Sequence, residues 1–214
     1  MENKVYLRPR FRKLDSKDYM TFWESLRDAR KINRHGLFVL LRDKELYKTS
    51  QNFMIGNGIA GFAICEEELI SVHKNNKKAA ESSVKHILPK IVRTAFKYGA
   101  KYGDCYGEFL ANYYMKSGFI AVAKVPFDSL DDNPVDWDYA QFGKPYIYVM
   151  IRGVKNIDEL DRLKKQNALA GIEAVQSRLR TFKIFDNAMK FRQEVYNKTK
   201  IYGYKKRLEI IKNL

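Results

Sequence analysis

Between Gly58 and Gly99 the chain sets down two short apolar strands and then an amphipathic helix, and no other stretch constrains its fold as much. Ile59 to Cys65 reads as a strand, Glu66-Glu67-Glu68 as a charged turn, and Leu69 to His73 as a second strand. Together they make a hairpin. Asn75-Asn76-Lys77-Lys78 breaks the pattern. From about Ser82 or Ser83 a helix is predicted, because Val84, Ile87, Leu88, Ile91, Val92, Ala95 and Phe96 recur at the spacing of one helix face. Gly99 suits the C-cap. Pro89 lies inside this run, and an interior proline costs about 3 kcal/mol. Either the helix kinks there or its regular part begins near Leu88.

The flanks extend the succession. Val5 to Phe11 suggests an opening strand, and Asp15 or Ser16 can cap a helix running to about Ile32, with Tyr19, Phe22, Trp23 and Leu26 on its inner face. Leu37 to Leu41 is a short strand or the end of the helical region. The polar segment 44–51 reads as loop, and Phe53 to Ile55 as a weaker strand. Downstream come a strand at Lys101 to Tyr106, a helix from Phe109 to Ser117 stopped by Gly118, and a strand at Phe119 to Phe127. A loop rich in Asp, Pro and Gly follows from Asp128 to Pro145, and Tyr146 to Ile151 closes as a strand. The order is β-α-(β)-β-β-α-β-α-β-β. That predicts an α+β fold with a mixed, mostly antiparallel central sheet flanked by helices.

After Gly153 the composition changes to Leu, Lys, Arg, Glu and Gln with helical period. The expected organisation is therefore a domain over 1–153 and a basic helical C-terminal extension over 154–214. Asn156 or Asp158 can cap its first helix, and Ile172, Val175, Leu179 and Phe182 fit a short a/d spacing. The extension carries fifteen Lys/Arg against seven Asp/Glu, about half of the net +15 of the 214-residue chain. A charge of that sign draws nucleic acid, acidic proteins or phosphorylated ligands, or simply coats a solvated surface. No run reaches the ~18–20 apolar residues of a spanning helix. The first residues lack the apolar core of a secretory signal, so a cytoplasmic location is expected. The two cysteines, Cys65 and Cys105, read as reduced core thiols. No Cys/His cluster has zinc-ligand spacing, so no metal site is expected.

The segment Tyr114-Met115-Lys116-Ser117-Gly118-Phe119, with Asn112 before it, resembles the Tyr-x-Lys-x-Gly-Phe element of the GNAT superfamily of N-acetyltransferases. The wider run is similar to acetyltransferase-like proteins of phages and mobile elements. It takes in GFAI leading to ISVHKN, the helix ending in GAKYGDCYG, and FGKPYIYVMIRG. The resemblance covers Gly61 to Arg152. It implies a GNAT-like fold, acetyl-CoA as co-substrate, and transfer of the acetyl group to an unidentified amine by direct attack.

The same resemblance implies roles for particular residues. Tyr114 would be the general acid that protonates the leaving thiolate; the alternative is a packing aromatic beside Tyr113. Backbone N–H groups near Ser71 and Val72 would polarise the thioester carbonyl. Glu67 or Glu68 would serve as general base through water, or His73 would; the alternatives are a charged turn and a structural histidine. One departure stands out. Where the superfamily has its glycine-rich pyrophosphate loop, this chain has HKNNKKAAESS, without glycine. The anchor would instead be the helix start, with Lys77, Lys78, Ser82 and Ser83 around it, unless these are a solvated Lys pair and an ordinary cap. Asp104 would bind the amine or cap the helix near Glu108. Trp137, Tyr139 and Phe142 would wall a substrate pocket or clamp their loop to the sheet. The alternative for the whole chain is a catalytically inactive module on the same fold. Such a module would contact nucleic acid or a protein assembly through 154–214, with Tyr196, Tyr202 and Tyr204 available for base stacking.

Overall fold

A computed structural model describes residues 10–56, 58–81, 87–129 and 136–214. They form two compact units: Met1–Glu66 with Ile70–Ile87, and Glu67–Leu69 with Leu88–Leu214.

The first unit contains β1 (Arg12–Lys13), α1 (Tyr19–Ile32), α2 (Leu46–Thr49), β2 (Gln51–Ile55), β3 (Ala60–Cys65), most of β4 (Glu68–Lys74) and α3 (Asn76–Glu81). Its strands lie in the order β1-β2-β3-β4. The β1/β2 and β2/β3 pairs are antiparallel, and Phe53 faces Phe62 across the second with rings stacked at 4.7 Å. Helix α1 presents Phe22, Ser25, Leu26 and Ala29, a spacing of three and four that forms one buried face. Phe22 and Leu26 join Leu14, Tyr47, Met54, Ala63 and Ile70 in a single core cluster. Burying each large apolar side chain contributes about 1.5–3 kcal/mol.

The second unit contains α4 (Leu88–Lys97), β5 (Tyr102–Tyr106), α5 (Glu108–Met115), β6 (Phe119–Val125), α6 (Tyr139–Phe142), β7 (Ile147–Arg152), α7 (Ile157–Lys165), β8 (Arg180–Thr181), α8 (Phe185–Thr199) and α9 (Tyr204–Lys212). Its strand order is β5-β7-β6-β8. Strand β7 is antiparallel to both β5 and β6, and β8 runs parallel to β6. The first two residues of β4 belong here and run parallel to β5, as Glu68↔Tyr102 and Leu69↔Gly103. Helix α8 packs on β6 and β7. The architecture is mixed α/β, with mostly antiparallel strands flanked by helices and a helical C-terminal region, as the element order predicts.

Several details differ from the sequence expectation. The opening strand is Arg12–Lys13, while 5–9 lie outside the described residues. Leu37 to Leu41 holds no strand but a turn of 3-10 helix at Gly36–Phe38. The polar segment 44–51 contains α2, and the Asn75–Lys78 break is where α3 starts. Ser82 and Ser83 lie outside the described residues, and the helix is regular from Leu88. Pro89 is thus its second residue, where the missing N–H has no intrahelical acceptor to lose. The a/d run from Ile172 to Phe182 is not a helix. It forms two 3-10 turns, at Ile172–Ala174 and Gln176–Arg178, and then β8. The division between units falls at residue 87, and 154–214 shares a unit with β5, β6 and β7.

Candidate active site

In the first unit the candidate residues cluster on β4. A strand alternates its faces residue by residue, yet Leu69 and Ile70 are both buried and Ser71 and Val72 are both partly exposed. The alternation is interrupted from Leu69 to Val72 and is back in its original phase at His73. Ser71 stands within the interruption, and its φ is +53°, in the left-handed region. That conformation costs a non-glycine residue on the order of 1–3 kcal/mol, and it persists only where the surroundings hold it.

Side chains from three elements do so. The Tyr47 hydroxyl, from α2, and Ser71 Oγ are 2.7 Å apart. His73 Nδ1 lies 3.1 Å from the Ser71 carbonyl oxygen. A carbonyl only accepts, so Nδ1 carries the proton and Nε2 is the acceptor. Ser25 Oγ, on α1, is 3.1 Å from Nε2 and 3.4 Å from the Gly58 carbonyl oxygen, so its one proton is shared between these two acceptors. The imidazole occupies space that Gly61 leaves open; a Cβ at Gly61 would come within 2.6 Å of His73 Cε1. Burial lowers His73 from 6.5 to about 4, so the ring is neutral. At 3% exposure with both nitrogens engaged, it is a core residue. This corrects its assignment as a candidate base.

Lys77 and Lys78 lie in the first turn of α3 instead of in a loop beside a helix. Asn75 caps that turn, its Oδ1 accepting from Lys78 N–H at 2.9 Å. With Asp28, Lys31, Ile32 and Asn75 the two lysines line an open depression of about 390 Å³.

In the second unit, Tyr114 faces inward from α5. Its ring packs edge-on against Phe119 at 5.8 Å. Burial, then the neighbouring Cys105 and Asp104, push the phenol well above its ordinary 10.0. It is fully protonated at neutral pH. Gly118 ends the segment at φ +117°, and a Cβ there would meet Leu160 Cδ1 at 2.8 Å. The glycine of the motif is thus required both by conformation and by the close passage of α7.

The two glutamates have cation partners. Glu67, at φ +67° in the hairpin turn, pairs with Lys101. Glu68 Oε1 accepts from Arg192 Nη1 at 2.6 Å, and the Arg192 guanidinium lies 4.5 Å over the Tyr102 ring. Asp104 is not the cap of α5, because Gly107 holds that position without a side-chain bond. It pairs across the ladder with Val149. The aromatic loop is a clamp: Trp137 is buried against Tyr106, Phe127 and Phe142, and its Nε1 donates to the Gly143 carbonyl at 2.8 Å.

The three tyrosines of the tail differ in exposure: Tyr204 is buried, Tyr196 half-buried and Tyr202 exposed. Tyr204 is buried and accepts from Ala170 N–H at 2.9 Å, and burial pushes it to about 12. Tyr196 sits against Tyr102 at 5.3 Å, with the Arg207 guanidinium 5.7 Å from its ring. Tyr202 alone of the three is exposed.

Tyr47, Ser25 and Arg192 were not anticipated from the sequence. Arg192 had a signal: Ala188, Arg192, Val195 and Thr199 share the buried face of α8. Tyr47 had little, standing in a polar segment. Among the described residues, no group of three or more His, Cys, Asp or Glu side chains could hold a metal ion, and no helix is long and apolar enough to cross a membrane.

The described residues define a mixed α/β protein with mostly antiparallel strands flanked by helices. No family model matches the chain, and no curated protein does. Among solved structures, it is similar to the apo form of YjaB from Escherichia coli, with a TM-score of 0.45 and 8% identity over 68% of this chain and 98% of that one.

Proposed function

We propose that the chain is an acyl-CoA-dependent N-acetyltransferase that passes an acetyl group from acetyl-CoA to an amine by direct attack. The observation that carries this reading is the left-handed Ser71 in β4. It lies on the strand where the GNAT resemblance puts the thioester-facing main chain. A left-handed residue reorients its peptide groups relative to extended strand, and an N–H freed in that way would stabilise the oxyanion of a tetrahedral intermediate. The neutral amine nitrogen bonds to the acetyl carbon, the carbon–sulfur bond breaks, the thiolate takes the proton of Tyr114, and the proton that the new amide nitrogen sheds passes to water, from which Tyr114 is reprotonated. The raised Tyr114 keeps its proton until negative charge builds on sulfur.

The test is direct. Acetyl-CoA at about a hundredfold excess over its Kd should raise Tm by about 5–10 °C. With a panel of primary amines, Tyr114→Phe should slow thiol release by about 10²-fold while leaving acetyl-CoA affinity within about twofold. A flat melting curve with acetyl-CoA would sink the proposal.

One observation favours a second reading, a catalytically inactive module. Both Glu67 and Glu68 are ion-paired, and His73 is buried and neutral. Each of the three predicted bases thus has a cation partner or is enclosed in the core. On this reading the exposed lysines of 154–214 contact nucleic acid or a protein assembly, and binding weakens steeply as salt rises.

A further inference from the structure

We infer that Tyr47, backed by His73 and Ser25, is a positioning device for the acyl donor: it tethers Ser71 in the left-handed region and so keeps the Ser71–Val72 peptide turned out of the strand ladder toward the donor carbonyl. This rests on the acetyl-CoA reading above. All four side chains belong to the first unit and form one chain of hydrogen bonds, Tyr47 to Ser71 at 2.7 Å, Ser71 carbonyl to His73 at 3.1 Å, and His73 to Ser25 at 3.1 Å.

Three observations favour positioning over simple packing. First, serine does not prefer φ +53°, so the conformation needs an external hold. Second, the tether is specific: it grips Ser71 by its side-chain oxygen and by its carbonyl, on either side of the strained Cα. Third, the grip comes from a rigid place. Tyr47 is fully buried in the core cluster, with its ring 5.2 Å from Phe22. His73 is edge-on to the same Phe22 ring at 5.3 Å. The two arms of the tether are thus fixed by one aromatic side chain of α1. A fixed donor group loses no freedom when it meets its ligand, which is how preorganisation raises affinity.

The experiment uses the full chain and acetyl-CoA. Acetyl-CoA affinity is measured by calorimetry, and the backbone state of residue 71 by its Cα and Cβ chemical shifts. Tyr47→Phe removes one hydroxyl and keeps the ring. It is expected to move the residue-71 shifts out of the left-handed range and to weaken acetyl-CoA by about tenfold. Adding Ser71→Gly should restore affinity to within about threefold of the parent, because glycine takes positive φ without a tether. Left-handed shifts that persist in Tyr47→Phe would overturn the inference, and so would an affinity loss that Ser71→Gly does not recover. If the parent chain binds no acetyl-CoA, the donor reading fails; the residue-71 shifts in Tyr47→Phe then still decide whether the tether exists.

Discussion

His73 carries a pH dependence whose sign follows from its surroundings. The ring is enclosed by Phe22, Ser25, Ser71 and the open space at Gly61, with no charged side chain among them. Burial holds it near 4 in the folded chain, against 6.5 when unfolded. Between those values the unfolded chain binds a proton that the folded chain does not, so folding is disfavoured by acid in that window. The contribution is complete above about pH 6.5 and is lost as pH falls to about 4, roughly 3 kcal/mol in all. Urea midpoints taken from pH 7 down to pH 4 should therefore fall more steeply for the parent than for His73→Gln. Parallel curves would show that the imidazole titrates outside that window. The same burial explains why a histidine that suggested proton transfer in the sequence proves to be part of a scaffold: its nearest groups are hydrogen-bonding partners, and solvent does not reach it.

Elements were legible where side-chain periodicity alone decides them. The strands β3 and β4, the helices α1 and α5, and β5 to β7 fall where apolar spacing puts them, because each buries one face and the pattern records which. What failed was structure set by contacts far along the chain. The run from Ile172 to Phe182 has helical spacing, but Phe182 N–H donates to the Lys124 carbonyl at 3.0 Å and Arg180 joins β6. Strand pairing overrode the local period there. The left-handed conformation of Ser71 left no periodic trace, since the side chains around it include Tyr47 and Ser25, 24 residues and more away. Arg192 is the one charged residue on the buried face of α8, a position its spacing marks, but its partner Glu68 lies 124 residues away. That pair bears on stability more than on proton transfer. Side-chain exposure is 10% for Arg192 and 24% for Glu68, so removing the carboxylate strands a guanidinium whose Nε already lacks a partner. Glu68→Gln should destabilise the chain by about 2–4 kcal/mol, and adding Arg192→Met should recover a large part of it. Chemical denaturation of the single and double variants checks this, and strict additivity of the two changes would refute the pairing.

At the scale of the whole molecule, the basic C-terminal region is structural before it is anything else. Its charge suggested an appendage, yet its inward residues are core. Helix α7 buries Leu160 and Leu163, α8 buries Ala188, Arg192, Val195 and Thr199, and α9 buries Tyr204, Arg207 and Ile211. Helix α8 lies on β6 and β7, and β6 also carries α5 and its tyrosine. Arg207, 1% exposed, donates to the carbonyls of Arg152 and Tyr202, joining the end of β7 to the α8–α9 connection. Deleting 154–214 would uncover the face of β6 and β7 on which α8 rests. At about 25 cal/mol per Å² of apolar surface exposed, even a few hundred Å² removes much of the 5–15 kcal/mol by which a domain is stable. A chain ending at residue 153 should consequently lose the calorimetric transition of the second unit, while the first unit keeps its own core cluster and its transition. A truncated protein that retains the parent's full unfolding enthalpy would mean that the strands of the second unit hold themselves together, and that the charged region is the independent extension its composition suggests. Binding studies of the region's partners therefore call for charge substitutions at exposed positions such as Lys198, Lys200, Lys205 and Lys206, which leave the packed face intact.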